Sequence, residues 1–354
     1  MIPRLAFLTI ALIPLCNALS VSRSLPIPEL GYTHNDLQSY SQQSLGKPPH
    51  PLVLWHGLGD SAHSAGVSEF LELIKEMHPG IFVYSISLSD NKDADQKASW
   101  FGEVNSQISL VAEQLTEIPE LANGFDAIGF SQGGQFLRAY VERYNNPPIR
   151  SLLTFGSQHM GISDLPGCKI GDFLCWLARK TALRGMYTDY AQTHLIQAQY
   201  FRDPRTAHEF QLYLTSNTFL ADINAEIPDA DISRYKKNLE SLSALVLIQF
   251  NEDRTVVPKE SAWFGSYKPA NLSEPNLASV QGEEEIMPMH EQEIYKDDRI
   301  GLRTLDEAGR IHFVTCEGPH MRISDDCWKP LVLKFCGDRR GKRHSDATPG
   351  LLIQ

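Results

Sequence analysis

The chain lacks the marks of several common protein classes. Beyond its first residues, no stretch approaches the roughly 20 consecutive apolar residues that a membrane-spanning helix needs. Basic residues number 32 against 43 acidic, a formal net charge of -11, so no broad basic surface is available to neutralise phosphates and nucleic-acid binding is excluded as an expectation. No metal-ligand cluster stands at a recognisable spacing, and no unit repeats. Cysteines are few, six in 354 residues, so disulfides cannot be the main framework. With 42% hydrophobic residues the chain can instead bury a sizeable core.

Residues 1–20 have the layout of a cleaved signal peptide: Arg4 supplies a positive charge, residues 5–15 are almost wholly apolar, and Cys16-Asn17-Ala18-Leu19-Ser20 offers small residues for cleavage. The mature protein is therefore expected in the secretory pathway, in a lysosome or vacuole or outside the cell. Cleavage leaves Cys168, Cys175, Cys316, Cys327 and Cys336, an odd set, so at least one thiol stays unpaired within the chain. Cys168 and Cys175 share a segment with Pro166, Gly167 and Gly171 and are the preferred disulfide. Cys327 with Cys336 is a second candidate, which a continuous helix between them would hold too far apart. Cys316 follows a mostly apolar run and reads as a buried free thiol. Asn271-Leu272-Ser273 is a glycosylation sequon in a polar stretch.

Short apolar runs rich in β-branched and aromatic residues occur at 51–57, 81–88, 125–130, 151–156, 244–251 and 311–318, and read as buried strands. Segments such as 67–78 and 103–115 carry apolar residues three and four apart, as helices do. Strands alternating with helices predict a mostly parallel sheet covered on both faces. The stretch from about 160 to 243 breaks the rhythm and reads as a helical insertion within a domain spanning 21–337. Residues 338–354, with Arg339, Arg340, Lys342 and Arg343, read as a disordered basic tail.

Gly129-Phe130-Ser131-Gln132-Gly133-Gly134 joins the end of one such strand to a helical segment, which is the nucleophile-elbow arrangement of the α/β-hydrolase fold. Such a turn strains the serine backbone and lifts its hydroxyl clear of the sheet; the glycines remove Cβ atoms that would clash. A serine hydroxyl needs a base, and among twelve histidines His320 follows the last strand in Glu317-Gly318-Pro319-His320. The histidine needs a carboxylate: Asp253 and its neighbour Glu252 both follow the strand at 244–251, between serine and histidine in chain order. The oxyanion needs two backbone N–H donors, assigned to Gln132, after the nucleophile, and Leu58, in Trp55-His56-Gly57-Leu58-Gly59-Asp60. His56 reads as structural. No metal or organic cofactor is required by this chemistry.

These motifs, together with Phe155-Gly156-Ser157-Gln158-His159, Gln197-Ala198-Gln199-Tyr200-Phe201-Arg202-Asp203-Pro204, Phe219-Leu220-Ala221-Asp222-Ile223-Asn224 and Tyr235-Lys236-Lys237-Asn238-Leu239, resemble the lysosomal palmitoyl-protein thioesterases over about residues 51–337. The resemblance implies nucleophile Ser131, carboxylate Asp253 rather than Glu252, histidine His320 and oxyanion donors Leu58 and Gln132. It implies removal of long-chain fatty acyl groups from cysteine thiols, so that the partners are S-palmitoylated proteins or peptides or long-chain acyl thioesters. It further implies an apolar acyl groove formed with the insertion, for which Ile196, Phe201 and Val256 are candidates. The Cys168–Cys175 pair matches the family, whereas Cys327, Cys336 and the basic tail depart from its animal members. A secreted lipase or oxygen-ester esterase, and a non-catalytic lipid-binding protein on the same fold, are the rival readings.

Overall fold

Six strands form one sheet: β1 (Leu52–Trp55), β2 (Val83–Ser85), β3 (Phe125–Phe130), β4 (Ile149–Phe155), β5 (Ala244–Phe250) and β8 (Ile311–Cys316). A separate antiparallel pair, β6 (Ser266–Tyr267) and β7 (Ile286–Met287), lies between the last two in sequence. This computed structural model describes residues 48–165, 185–228, 230–270 and 285–337. The large sheet has the order β2-β1-β3-β4-β5-β8, and every neighbouring pair is parallel.

The alternation of side chains along each strand sorts the core into two layers. Val53, Trp55, Phe125, Ala127, Leu152, Leu245 and Leu247 face one side of the sheet, where they meet α3 (Val104–Thr116) and α4 (Gln132–Arg143). Leu52, Leu54, Ile128, Phe130, Leu153, Val246, Ile248 and Phe250 face the other side, covered by α1 (Ala65–Met77) and α12 (Asp325–Phe335). With helices on both faces, β3 and β5 are buried along their whole length. That burial is why they read as near-continuous apolar runs, interrupted by Asp126 in β3 and Gln249 in β5. At about 25 cal/mol per Å² of apolar surface, this two-sided burial is the main force holding the sheet.

Helix α1 shows the local logic. Val67, Phe70 and Ile74 recur at helical spacing and are buried, while the Ser64 side chain accepts a hydrogen bond from the Val67 N–H and caps the first turn. Such a cap contributes about 1 kcal/mol. The run at 81–88 yields only the three-residue strand β2, because its neighbour β1 offers just Leu52, Val53 and Leu54 as partners.

Helix α2 (Lys92–Ala98) precedes α3. Between β4 and β5 the described chain passes through α5 (Asp189–His194), α6 (Ile196–Gln199), α7 (Ala207–Ser216), α8 (Leu220–Ile223) and α9 (Ile232–Leu239). Two further short helices, α10 (Glu293–Lys296) and α11 (Leu302–Glu307), lead into β8. Among the described residues no helix is long and apolar enough to cross a membrane. The expected signal peptide, the Cys168–Cys175 pair, the Asn271 sequon and the basic tail lie outside the described residues.

Two cysteine expectations are corrected. Cys316 is not a free thiol: it is bonded to Cys327, with the Cα atoms 5.6 Å apart. Cys327 is therefore not paired with Cys336, which is buried and free. The reason is topological. The chain turns back directly after β8, so the end of that strand and the first turn of α12 face each other. Cys327 and Cys336 sit nine positions apart in one helical stretch, with their side chains far separated.

Candidate active site

Parallel strands deliver the loops at their carboxyl ends to one edge of the sheet, and the strand order reverses between β1 and β3. The loop after β1 carries Leu58, the turn after β3 carries Ser131, and the loops after β5 and β8 carry Asp253 and His320.

The elbow is held by the backbone geometry expected of it. Ser131 has φ 51° and ψ -121°, a conformation that disfavours any residue with a side chain and costs about 1–3 kcal/mol. The Ser131 N–H donates to Phe155 O at 2.8 Å. A Cβ on Gly133 would fall 2.6 Å from His56 O, and one on Gly134 would fall 2.9 Å from Thr154 Cβ, so α4 can approach the strands only with glycine there.

His320 Nε2 lies 3.0 Å from Ser131 Oγ, and His320 Nδ1 lies 2.6 Å from Asp253 Oδ2. Asp253 Oδ1 accepts from the Thr255 and Val256 N–H groups at 2.8 and 3.0 Å. With the carboxylate as acceptor, Nδ1 carries the proton and donates it, which leaves Nε2 able to accept from the serine hydroxyl. Glu252 is exposed and its backbone N–H donates to Gly318 O, so it is Asp253 that the structure turns toward the histidine. The imidazole packs edge-on against Phe250, 6.1 Å between centroids. Gly156 leaves room for it: a Cβ there would meet the imidazole at 3.0 Å and Phe250 at 3.1 Å.

The two loops bearing Asp253 and His320 are tied to each other. Asn251 Oδ1 accepts from the Gly318 N–H at 2.7 Å, and Asn251 Nδ2 donates to Glu317 Oε2 at 2.5 Å. The Cys316–Cys327 disulfide closes the segment that contains His320. A cavity of about 640 Å³ opens along this edge, lined by residues that include Asn251, Asp253, Arg254, Lys259, Pro319 and His320.

The loop after β1 lies against the elbow, since a Cβ on Gly57 would sit 3.2 Å from Ser131 Cβ. Leu58 follows directly. His56 is buried, with Nδ1 2.9 Å from Gly57 O and Nε2 3.4 Å from Asp95 Oδ2, so its ring faces Asp95. Sequence reasoning missed Asp95, whose Oδ2 accepts from Ser61 Oγ and the Ala62 N–H, and whose Oδ1 accepts from the Leu88 N–H. Burial opposes the anion, but the neighbouring His56 ring and the hydrogen bonds from the Leu88 N–H and the Ser61 hydroxyl outweigh it and hold this carboxyl well below the usual range. In the sequence Asp95 is one of several acids in a polar stretch, and nothing there marks it as buried. Gln132 is also buried, with Nε2 donating to Ser99 O at 3.0 Å and Oε1 accepting from the Tyr200 hydroxyl at 3.3 Å.

Ile196, Phe201 and Val256 are all buried in the layer between the sheet and the inserted helices. Val256 adjoins the site through its N–H on Asp253. Ile196 donates its N–H to Trp100 O at 3.1 Å, and Phe201 packs on Tyr187.

A six-stranded parallel sheet flanked by helices, with a strained serine in a strand-to-helix turn, defines the class: this is an α/β hydrolase. The sequence profile described as palmitoyl protein thioesterase matches residues 51–320. Palmitoyl-protein thioesterase 1 of Caenorhabditis elegans is 39% identical over 274 residues, covering 77% of this chain and 87% of its own. Palmitoyl-protein thioesterase 3 of Dictyostelium discoideum is 34% identical over 80% of this chain and 90% of its own. Lysosomal thioesterase PPT2 of Homo sapiens is 30% identical over 78% and 82% respectively. The chain belongs to the palmitoyl protein thioesterase family.

Proposed function

We propose that this protein is a serine thioesterase that removes long-chain fatty acyl groups, palmitoyl among them, from cysteine thiols of S-acylated proteins or peptides. The observation that carries the reading is the continuous chain from Ser131 Oγ through His320 to Asp253, in a member of this family. Ser131 Oγ attacks the thioester carbonyl while His320 Nε2 takes its proton, and Asp253 orients the ring and stabilises the imidazolium. The Leu58 and Gln132 N–H groups receive the oxyanion. Collapse expels the cysteine sulfur, which takes its proton from His320, and water then releases the fatty acid by the reverse sequence of proton transfers. A thiol, with a pKa near 8.5, is a better leaving group than an alcohol, so acylation asks less of the general acid than an ester would.

Of the three groove candidates Val256 adjoins the site, whereas Ile196 and Phe201 are packed in the core and offer almost no exposed surface to an acyl chain. The N-terminal layout and the lysosomal relatives support a place in the secretory pathway, in a lysosome or vacuole. The test is hydrolysis of a palmitoylated cysteine peptide by the purified protein and by Ser131→Ala, from acidic to neutral pH. The substitution is expected to lower kcat by at least about 10⁴-fold with the fold intact. Equal release of palmitate by both proteins refutes the nucleophile, and no release by either refutes the thioesterase reading.

A further inference from the structure

Both halves of the proposed oxyanion hole end on one residue outside the catalytic motifs. Ser99 follows the last turn of α2 and is buried, and its hydroxyl and its carbonyl each face a different half. Its Oγ accepts from the Gly59 N–H at 2.8 Å, one residue beyond Leu58, and donates to Gln96 O at 2.6 Å, which fixes the rotor. Its carbonyl accepts from Gln132 Nε2 at 3.0 Å, from the residue whose N–H is the other donor.

The surrounding bonds point the same way. Gln96 Nε2 donates to Gly59 O at 2.5 Å, so both polar groups of the Gly59 backbone are taken by this one turn. The Trp100 indole covers the Gly59 Cα, where an added Cβ would meet it at 3.0 Å. Asp95, four residues earlier, holds Ser61 and Ala62 at the far end of the same loop. The insertion reaches the turn as well, through Ile196 N–H on Trp100 O and the Tyr200 hydroxyl on Gln132.

We infer that Ser99 is a positioning residue for the hydrolysis: it sets the spacing between the Leu58 and Gln132 N–H donors by binding the loop of one and the side chain of the other. It touches neither substrate nor Ser131. A hydrogen bond to an oxyanion depends steeply on donor placement, and a donor displaced by a few tenths of an ångström serves the transition state less while leaving ground-state binding in place. The inference rests on the oxyanion assignment in the proposed function.

The test compares the full chain with Ser99→Ala, Ser99→Thr and Gln132→Met. Removing a whole oxyanion donor typically costs about 10²–10³-fold in kcat, so loosening one by Ser99→Ala is expected to cost roughly 10-fold with KM within about twofold. Ser99→Thr keeps the hydroxyl and is expected to restore most of the loss. Gln132→Met keeps the backbone donor, breaks the second attachment and is expected to lower kcat several-fold. A long-chain trifluoromethyl ketone, which adds Ser131 and places an oxyanion in the hole, should lose affinity in each variant by the same factor as kcat/KM. A simple p-nitrophenyl ester run in parallel separates the two claims: if only the ester turns over, the thioesterase reading fails while the Ser99 test still stands. Should Ser99→Ala not fold, Gln132→Met carries the test. Wild-type kcat in either folded variant, or a loss of kcat with unchanged ketone affinity, overturns the inference.

Discussion

Replacing Asp253 by Asn removes one charge and almost no volume, and the structure dictates how the new amide must sit. Asp253 Oδ1 accepts two backbone N–H groups, from Thr255 and Val256, so the amide oxygen has to remain there; the opposite flip would set an NH2 against two donors. The NH2 then takes the place of Oδ2, 2.6 Å from His320 Nδ1, and donates to it. That bond fixes the wrong tautomer: the ring proton moves to Nε2, which faces Ser131 Oγ at 3.0 Å, and the serine loses its base. The expected loss is about 10⁴-fold in kcat, or roughly 5.4 kcal/mol of transition-state stabilisation. Glu252→Gln, on the exposed neighbour, should stay within about twofold of wild type, as surface substitutions do. The assay is steady-state hydrolysis of a palmitoyl thioester, with thermal unfolding as a check on the fold. Asp253→Asn retaining more than about a hundredth of wild-type kcat, or Glu252→Gln losing as much as Asp253→Asn, refutes the tautomer argument.

Two further outcomes follow from other parts of the molecule. Cys327→Ser opens the bridge to Cys316, eleven positions away, and the chain-entropy model gives a cost of about 3 kcal/mol for a loop of this size. The variant should show a lower Tm and, because His320 lies in the released loop, a lower kcat; an unchanged Tm refutes the structural role of the bridge. Glu142 is buried in α4 beside Arg138 at 3.0 Å, and burial raises its pKa to about 7, with Asp222 adding and Arg138 and Arg143 opposing. An acid that binds its proton more tightly when folded stabilises fully below its ordinary value near 4.5 and loses that contribution as pH rises through about 7. The Tm of wild type should therefore fall more steeply across that window than the Tm of Glu142→Gln, and parallel curves refute the assignment.

The legible parts of this sequence were those governed by a local rule. Near-continuous apolar runs mark β3 and β5 because both faces are covered, and the glycines around Ser131 are legible because only glycine clears the neighbouring backbone. Position favoured Asp253 over Glu252 only weakly, since adjacent residues share a loop and the direction of the side chain decides. Cys316 was misread for a related reason: an apolar run predicts burial correctly, as its exposure of 2% bears out, but not whether a second sulfur waits across a turn. Asp95 and Ser99 carry no local signal at all. Their role is to accept N–H groups from a loop more than thirty positions away, and an acid or serine in a polar stretch reads as a solvated surface.

These misses share a physical cause that bears on the chemistry. In the proposed mechanism the motif residues carry out the bond changes, and each is held by contacts beyond the reacting atom: Ser131 by glycines that admit α4, Asp253 by the N–H groups of its own turn, His320 by Asn251 and the disulfide, and the Leu58 loop by Asp95 and Ser99. Rate enhancement at an oxyanion hole comes from dipoles already in place before charge develops, so that little reorganisation is paid during the reaction. Loops left to water would reorient as the carbonyl becomes an oxyanion and would forfeit that advantage. On the proposed mechanism the buried polar contacts behind the site are therefore part of its chemistry, and the order reversal between β1 and β3 is what brings the Leu58 and Gln132 loops close enough for one turn to hold both.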